Sequence, residues 1–278
     1  MVLEKYRQKR NFKSTPEPAG DLTLAAERAK AAAAGKRFFC VQKHLASHLH
    51  YDFRIEHNGV LLSWAVPKGP SLDPKTKRLA MHVEDHPLEY GTFEGVIPEG
   101  YGAGIVMLWD QGTWTPESPD VDAALKKGDL KFTLDGYKLK GSWVLVRTGG
   151  RWGSSSGSGD ARSWLLIKHR DEWAGELDIA AFAPRSVKSD GDFEDILAAD
   201  QPDLWISHKP APARGGEAGA MLAKIIERAA KLKAGQSTET EAPAAKKATV
   251  KTAAKKKAKA AAATPTTKRK ISAKRRSS

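Results

Sequence analysis

Between Arg37 and about Ile179 the apolar residues fall into short runs bounded by Gly, Pro, Asn and Asp: RFFCVQ, LHYDFRIE, GVLLSWAV, RLAMHV, GIVMLW, LKFTL, GSWVLVR and SWLLIK. Each run is strand-length and rich in β-branched and aromatic residues, so the pattern predicts strands. HYDFRIE and VLLSWAV flank His57-Asn58-Gly59, whose turn chemistry predicts a hairpin. Long helical segments do not alternate with these runs. The expectation is therefore mainly β, a small antiparallel β-barrel with short flanking helices, rather than a parallel α/β sheet. The segment GGRWGSSSGSGDARS, Gly149 to Ser163, separates two strand-like runs and reads as a hairpin tip. It could in principle cradle a phosphate, but it does not match a P-loop and no helix start follows it.

Outside this region the texture changes. The first twenty residues are polar, and Asp21 or Thr23 can cap an Ala-rich helix, LTLAAERAKAAAA, that Gly35 would end. After Pro184 the patterning weakens, and residues 185–215 read as a linker with one helical turn around FEDILAA. Leu222, Ile225, Ile226, Ala229 and Leu232 then recur at helical spacing. That spacing predicts an amphipathic helix over 216–234, either packed on the body or offered to a partner. Residues 235–278 are Lys/Ala-rich, low in complexity, and expected to be disordered. The barrel domain is accordingly assigned to 1–184.

The net charge of +13 on 278 residues is unevenly placed. From Ala242 to Ser278 there are thirteen Lys or Arg and no Asp or Glu, which leaves the first 241 residues formally neutral. A basic tail on a neutral body predicts phosphate binding without sequence readout, weakened steeply by salt. No apolar run reaches the length of a membrane span, and MVLEKYRQKRNFKSTPEP lacks the apolar stretch of a secretory signal. With the single cysteine, Cys40, this fits a reducing cytoplasmic, nucleoid-associated location with no membrane partner.

Candidate chemistry concentrates in QKHLASHLHYDFRIE. On a strand, His50, Asp52 and Arg54 share one face, about 7 Å apart, while Tyr51, Phe53 and Ile55 share the other. The second set is a core face. The first makes no sense as packing. His44 lies where the preceding strand should end, so two imidazoles and a carboxylate form a candidate open site for Mn²⁺ or Zn²⁺. Arg54 beside it would clamp a phosphate with its planar fork. Taken singly, each residue also fits a solvated strand face, and His48 reads as exposed and incidental. A second cluster, VEDHPLEYGTFEGVIPEGYGAG, carries Glu84, Asp85, His86, Tyr90 and Glu94 on a strand-to-loop transition. His86 there could hydrogen-bond a phosphate oxygen or protonate a leaving alkoxide, or be a surface histidine. Lys68 sits in a Pro/Gly-rigid turn and Arg78 opens the next strand. Both are candidate anion contacts or solvated charges.

These segments together resemble a family. FCVQKHLASHLHYDFRIEHNGVLLSWAVPKGPS, RLAMHVEDHPLEYGTFEGVIPEGYGAG, GSWVLVR and WLLIKH are similar to the 3′-phosphoesterase module of bacterial DNA ligase D, the end-joining ligase, and its free-standing relatives. The resemblance runs from about Tyr6 to Phe182. It implies a small antiparallel barrel and a Mn²⁺-dependent enzyme, with Zn²⁺ or Co²⁺ as alternatives. Such enzymes remove a 3′-terminal ribonucleoside and then hydrolyse the 3′-phosphate to a 3′-hydroxyl. The implied metal ligands are His44, His50 and Asp52. The implied phosphate contacts are Arg54, His86 and Lys68, and the supporting residues are Arg78, Glu84 and Tyr90. KRNFKSTPEP adds Arg10 and Glu17, but Asn11 stands where the family has an acid. An amide cannot ionise, so the phosphodiesterase step is expected to be weaker than the monoesterase step. The implied partners are DNA ends bearing a 3′-ribonucleotide or 3′-phosphate, and an end-joining ligase or end-binding protein. Ligase and polymerase segments are lacking, so action alone or in trans is expected. The rival readings are a DNA-binding or chromatin-like protein with a degenerate module, suggested by the tail, and a small-molecule phosphatase. An intact His44/His50/Asp52/Arg54 set tells against the first, and the polycationic tail against the second.

Overall fold

In the computed structural model, residues 3–9, 35, 37–97, 103–148, 162–199 and 217–234 are described. Nine strands follow in chain order: β1 Arg37–Leu45, β2 Leu49–His57, β3 Val60–Val66, β4 Arg78–His82, β5 Gly95–Ile97, β6 Gly104–Pro116, β7 Asp129–Gly136, β8 Lys140–Arg147 and β9 Ser163–Lys168. They pair antiparallel in the order β1-β2-β3-β4-β9-β8-β7-β6, and β6 pairs back to β1, closing an eight-stranded barrel. Strand β5 adds only to the first residues of β6. Closure removes the open sheet edges that would otherwise present unpaired backbone groups.

The predicted hairpin is present. Asn58 and Gly59 sit at φ 50° and 79°, the left-handed pair that a two-residue turn between twisted strands requires. Short helices flank the barrel: α1 Glu4–Gln8, α2 Val121–Lys127, α3 Ile179–Phe182, α4 Phe193–Ala199 and α5 Glu217–Lys233. Helix α2, which the apolar pattern did not announce, is capped by the Asp120 side chain on the Ala123 N–H and ended by left-handed Gly128. Residues 185–199, the described part of the expected linker, pack on the barrel. The Val187 N–H donates to the Leu108 carbonyl, and Phe193, Ile196 and Leu197 of α4 are buried in the main core. Helix α5 packs there through Ile225 and Ala229, with Arg228 3.4 Å from Glu194. The Ala-rich helix expected over 22–34, most of the Gly149–Ser163 loop and the tail from residue 235 lie outside the described residues. No helix among the described residues is long and apolar enough to cross a membrane.

Two cores result from strand alternation. The barrel interior is filled by Trp64, Trp109, Trp114 and Trp143 with Phe39, Phe53 and Phe132, all essentially inaccessible. Tyr51, Phe53 and Ile55 point into it, as the two-face reading of β2 requires. A smaller cluster lies on the opposite face of the same wall: Tyr6, Phe38, Cys40, Leu61, Leu88, Tyr90 and Leu108. It covers part of the face that carries the chemistry. Close approach within the barrel is demanding where β6 crosses β7. A Cβ on Gly112 would lie 2.1 Å from the Asp135 carbonyl oxygen and 2.6 Å from the Gly136 Cα. Gly112→Ala is expected to cost about 1–3 kcal/mol of stability, read as a lowered urea midpoint. An unchanged midpoint would mean that the two strands separate freely there.

Candidate metal centre

The site is built on the outer face of β1 and β2. His44 pairs directly with His50 across the two strands, and Gln42 pairs with Asp52. Register therefore brings both imidazoles and the carboxylate together, with ligand atoms all within 4.8 Å of one another. His44 Nδ1 and His50 Nε2 stand 3.7 and 3.8 Å from Asp52 Oδ2. His50 Nδ1 donates to the His48 carbonyl at 2.9 Å, which fixes the proton on Nδ1 and leaves Nε2 basic. His48 is exposed, and its backbone rather than its ring serves the site. Burial by itself pushes the Asp52 carboxyl up, but the Arg54 charge, the His44 contact and the two imidazoles together outweigh it and hold the group well below the usual carboxylate range. An ionised carboxylate with two imidazoles is a donor set that suits a divalent first-row metal with open positions.

Arg54, only 2% exposed, is held on three sides. Its Nε donates to Gln42 Oε1 at 2.8 Å, Nη1 to Ser63 Oγ at 2.8 Å and Nη2 to Asp52 Oδ2 at 3.0 Å. Its guanidinium also lies 4.9 Å from the centre of the Tyr90 ring. Gln42 is itself anchored, donating to the Tyr90 and Phe93 carbonyls at 2.8 and 2.9 Å. Three of the five guanidinium N–H groups thus orient Arg54, which leaves one on each terminal nitrogen for another acceptor.

His86 joins from β3. After β4, the Val83 N–H donates to the Ser63 carbonyl; the chain bows out at Glu84 and Asp85; and His86 returns to exchange two backbone hydrogen bonds with Leu61. His86 Nδ1 donates to the Glu84 carbonyl at 2.8 Å. Its ring is 4.9 Å from Tyr90, on the short 3₁₀ helix Leu88–Thr92, and 5.0 Å from Tyr6 of α1. Glu84 accepts from Lys9 at 3.0 Å, tying α1 to this bow. Contacts thus run without a gap from the His/His/Asp cluster through Arg54 and Tyr90 to His86 and Tyr6.

Lys68 is exposed in the turn that leaves β3, at the barrel end where Tyr51 pairs with Val66 and Gly69 packs on the Tyr51 ring. Arg78 opens β4. It lines a cavity of about 350 Å³ with Asp73, Thr76, Glu176 and Asp178, and none of the cluster residues borders that cavity. Its Nε is buried without a hydrogen-bond partner among the described residues. Glu94 is engaged structurally by the Leu108 N–H at 2.8 Å and Ser186 Oγ at 2.5 Å. Arg10, Asn11 and Glu17 lie outside the described residues. Three contributors were not anticipated: Gln42, Ser63 and Tyr6. Strand alternation two residues before His44 could have found Gln42. The Asn58-Gly59 hairpin register could have found Ser63 opposite Arg54, and Tyr6 carries no local signal.

Residues 42–147 match the family described as the DNA Ligase D 3′-phosphoesterase domain. The chain is 45% identical over 227 residues to the multifunctional non-homologous end joining protein LigD of Pseudomonas aeruginosa, covering 81% of this chain and 24% of that protein. It is 44% identical over 152 residues to the multifunctional non-homologous end joining DNA repair protein LigD of Mycobacterium tuberculosis, covering 54% and 19%. With the LigD protein of Mycolicibacterium smegmatis it shares 41% identity over 176 residues, covering 61% and 21%. The chain thus spans a quarter or less of the length of these relatives. The matched segment contains the whole His44/His50/Asp52/Arg54/His86 arrangement, and over it the barrel of this chain matches the DNA ligase D 3′-phosphoesterase domain family.

Proposed function

We propose that this chain is a metal-dependent hydrolase that processes DNA 3′ ends, removing terminal ribonucleosides and 3′-phosphates to leave a 3′-hydroxyl, in support of end joining. The single observation that carries the reading is the convergence of His44, His50 and Asp52 beside a buried, pre-oriented arginine. Those three residues would hold Mn²⁺. When bound, the ion would act as a Lewis acid at a phosphoryl oxygen and lower the pKa of a coordinated water.

The protein's own groups do the rest. Arg54 offers its remaining N–H groups to phosphoryl oxygens and, already bonded on three sides, needs no reorganisation as charge develops there. His86, locked by the Glu84 carbonyl at Nδ1 and by two rings, donates from Nε2 in its doubly protonated form, to a phosphoryl oxygen or to the leaving 3′-oxygen. Tyr90 keeps Arg54 and His86 in fixed relation. Lys68 contributes positive charge at the barrel end nearest His50. Glu84, Arg10 and Glu17 support the ribonucleoside-removing step, which Asn11 weakens. Arg78, set apart in its own cavity, holds that part of the barrel or contacts a more distant portion of the strand. The Lys/Arg-rich tail adds affinity for duplex DNA, and an end-joining ligase or end-binding protein is the expected partner.

The test is direct. The full chain is incubated with Mn²⁺ and with duplexes ending in a 3′-phosphate or a single 3′-ribonucleotide. A 3′-hydroxyl product is expected from both, faster from the first. No product from either, in the presence of Mn²⁺, Zn²⁺ or Co²⁺, overturns the reading.

A further inference from the structure

We infer that Tyr6 is a positioning residue of this site: its ring, with that of Tyr90, clamps the His86 imidazole in the orientation its Glu84 hydrogen bond selects. The inference rests on the phosphoesterase reading for the role of His86, but the clamp itself stands on geometry. Tyr6 belongs to α1, a five-residue helix in a segment that sequence pattern describes only as polar and charged. Its side chain is nevertheless inaccessible. The ring centre is 5.0 Å from that of His86 and 6.1 Å from that of Tyr90, and the Tyr90 and His86 rings are 4.9 Å apart. The interplanar angles are 58°, 77° and 52°, so all three rings meet in tilted or edge-on contact, the arrangement aromatic quadrupoles favour.

A helix of five residues does not persist alone in water. Helix α1 is held by what it touches: Tyr6 in the outer core, and Lys9 on Glu84. The same Glu84 gives its carbonyl to His86 Nδ1. Both sides of the imidazole are therefore set by one unit. Its hydrogen bond comes from the bow that Lys9 grips, and its flank comes from the ring one turn earlier on the same helix. Removing the Tyr6 ring leaves that flank open while the β-ladder to Leu61 and the metal ligands stay in place. The imidazole would then tilt about its side-chain bonds, and displacements of about 1 Å in a reacting group lower rates by up to about a hundredfold.

The experiment uses the full chain with Tyr6→Phe, which keeps the ring, and Tyr6→Leu, which keeps apolar volume without it. At one fixed pH, long-range ¹⁵N–¹H spectra of the imidazoles read the His86 tautomer. The parent and Tyr6→Phe should show the single Nδ1–H form, and Tyr6→Leu an average of two forms. With Mn²⁺ and a 3′-phosphate duplex, Tyr6→Leu should lower kcat about tenfold, with KM and Mn²⁺ affinity changed less than about twofold, and Tyr6→Phe should restore the rate. A Tyr6→Leu protein with parental kcat and a single tautomer overturns the inference. So does a loss of rate matched by an equal loss of Mn²⁺ affinity in both variants, which would mark Tyr6 as mere packing. If the parent itself releases no phosphate, the phosphoesterase reading fails, while the tautomer spectra still decide the clamp.

Discussion

Replacing Asp52 by asparagine is expected to abolish phosphate release from 3′-phosphate ends, by roughly a thousandfold or more, equivalent to about 4 kcal/mol of barrier. The carboxylate is the only anionic group in the cluster, and its charge is what binds a divalent ion against two neutral imidazoles. Asparagine keeps the shape and an oxygen for Arg54 Nη2 but removes that charge. Mn²⁺ affinity should fall in parallel, measured by titration calorimetry or by the paramagnetic broadening of bound water. Alanine is the poorer probe. It would leave the buried Arg54 Nη2 without an acceptor oxygen as well as without the charge, and breaking a buried pair costs about 3–5 kcal/mol. That loss of fold could be mistaken for loss of chemistry. Full turnover by Asp52→Asn in metal-depleted buffer would remove Asp52, and with it the metal centre, from the mechanism.

The second large effect is expected at Arg54. Arg54→Lys preserves charge, yet an ammonium on a flexible stem cannot reach Gln42 Oε1, Ser63 Oγ and Asp52 Oδ2 together as the planar fork does. At least one buried acceptor is left unpaired, which costs about 1–3 kcal/mol of stability. The flat face that lies against Tyr90 is lost as well. Two readouts should therefore move together: a lower urea midpoint, and a rate reduced about a hundredfold at both saturating and limiting substrate. Arg54→Lys with parental rates under both conditions would make the arginine a structural tie for Asp52 and nothing more. A variant that lost stability but kept its rate would say the same of the phosphate-binding role.

That dual character of Arg54 was only half visible in the sequence. Read along β2, alternation alone puts His50, Asp52 and Arg54 on one face and Tyr51, Phe53 and Ile55 on the other, because side-chain direction on a strand is a local property with period two. The Asn58-Gly59 turn is equally local: it fixes the pairing of β2 with β3, and hence Ser63 opposite Arg54. By the same logic His44 falls near His50 once a tight turn is assumed between their strands. The candidate His44/His50/Asp52 cluster, the β class and the hairpin were therefore determined by residues within about fifteen positions of one another, together with the family resemblance of the longer motifs.

What local pattern could not decide is what covers that polar face. A row of His, Asp and Arg on a strand ordinarily faces water, yet Asp52 and Arg54 are buried, and the 3₁₀ helix of Tyr90 lies across Arg54. Tyr6 and Tyr90 are separated by more than eighty residues, and no periodicity links them. The same holds for closure of the barrel, which depends on β1 meeting β6, and for α4, whose Phe193 and Leu197 looked like a turn in a linker until the barrel offered a core to fill. Arg78, near the motifs in sequence, lines a cavity with Asp73, Thr76, Glu176 and Asp178, neighbours that no local pattern announces. Sequence by itself determined strand faces, turns and the convergence of His44, His50 and Asp52, since those depend on neighbours along the chain. Only the tertiary structure decided burial and the rings gathered around Arg54 and His86, since those depend on contacts between segments that chain order leaves far apart.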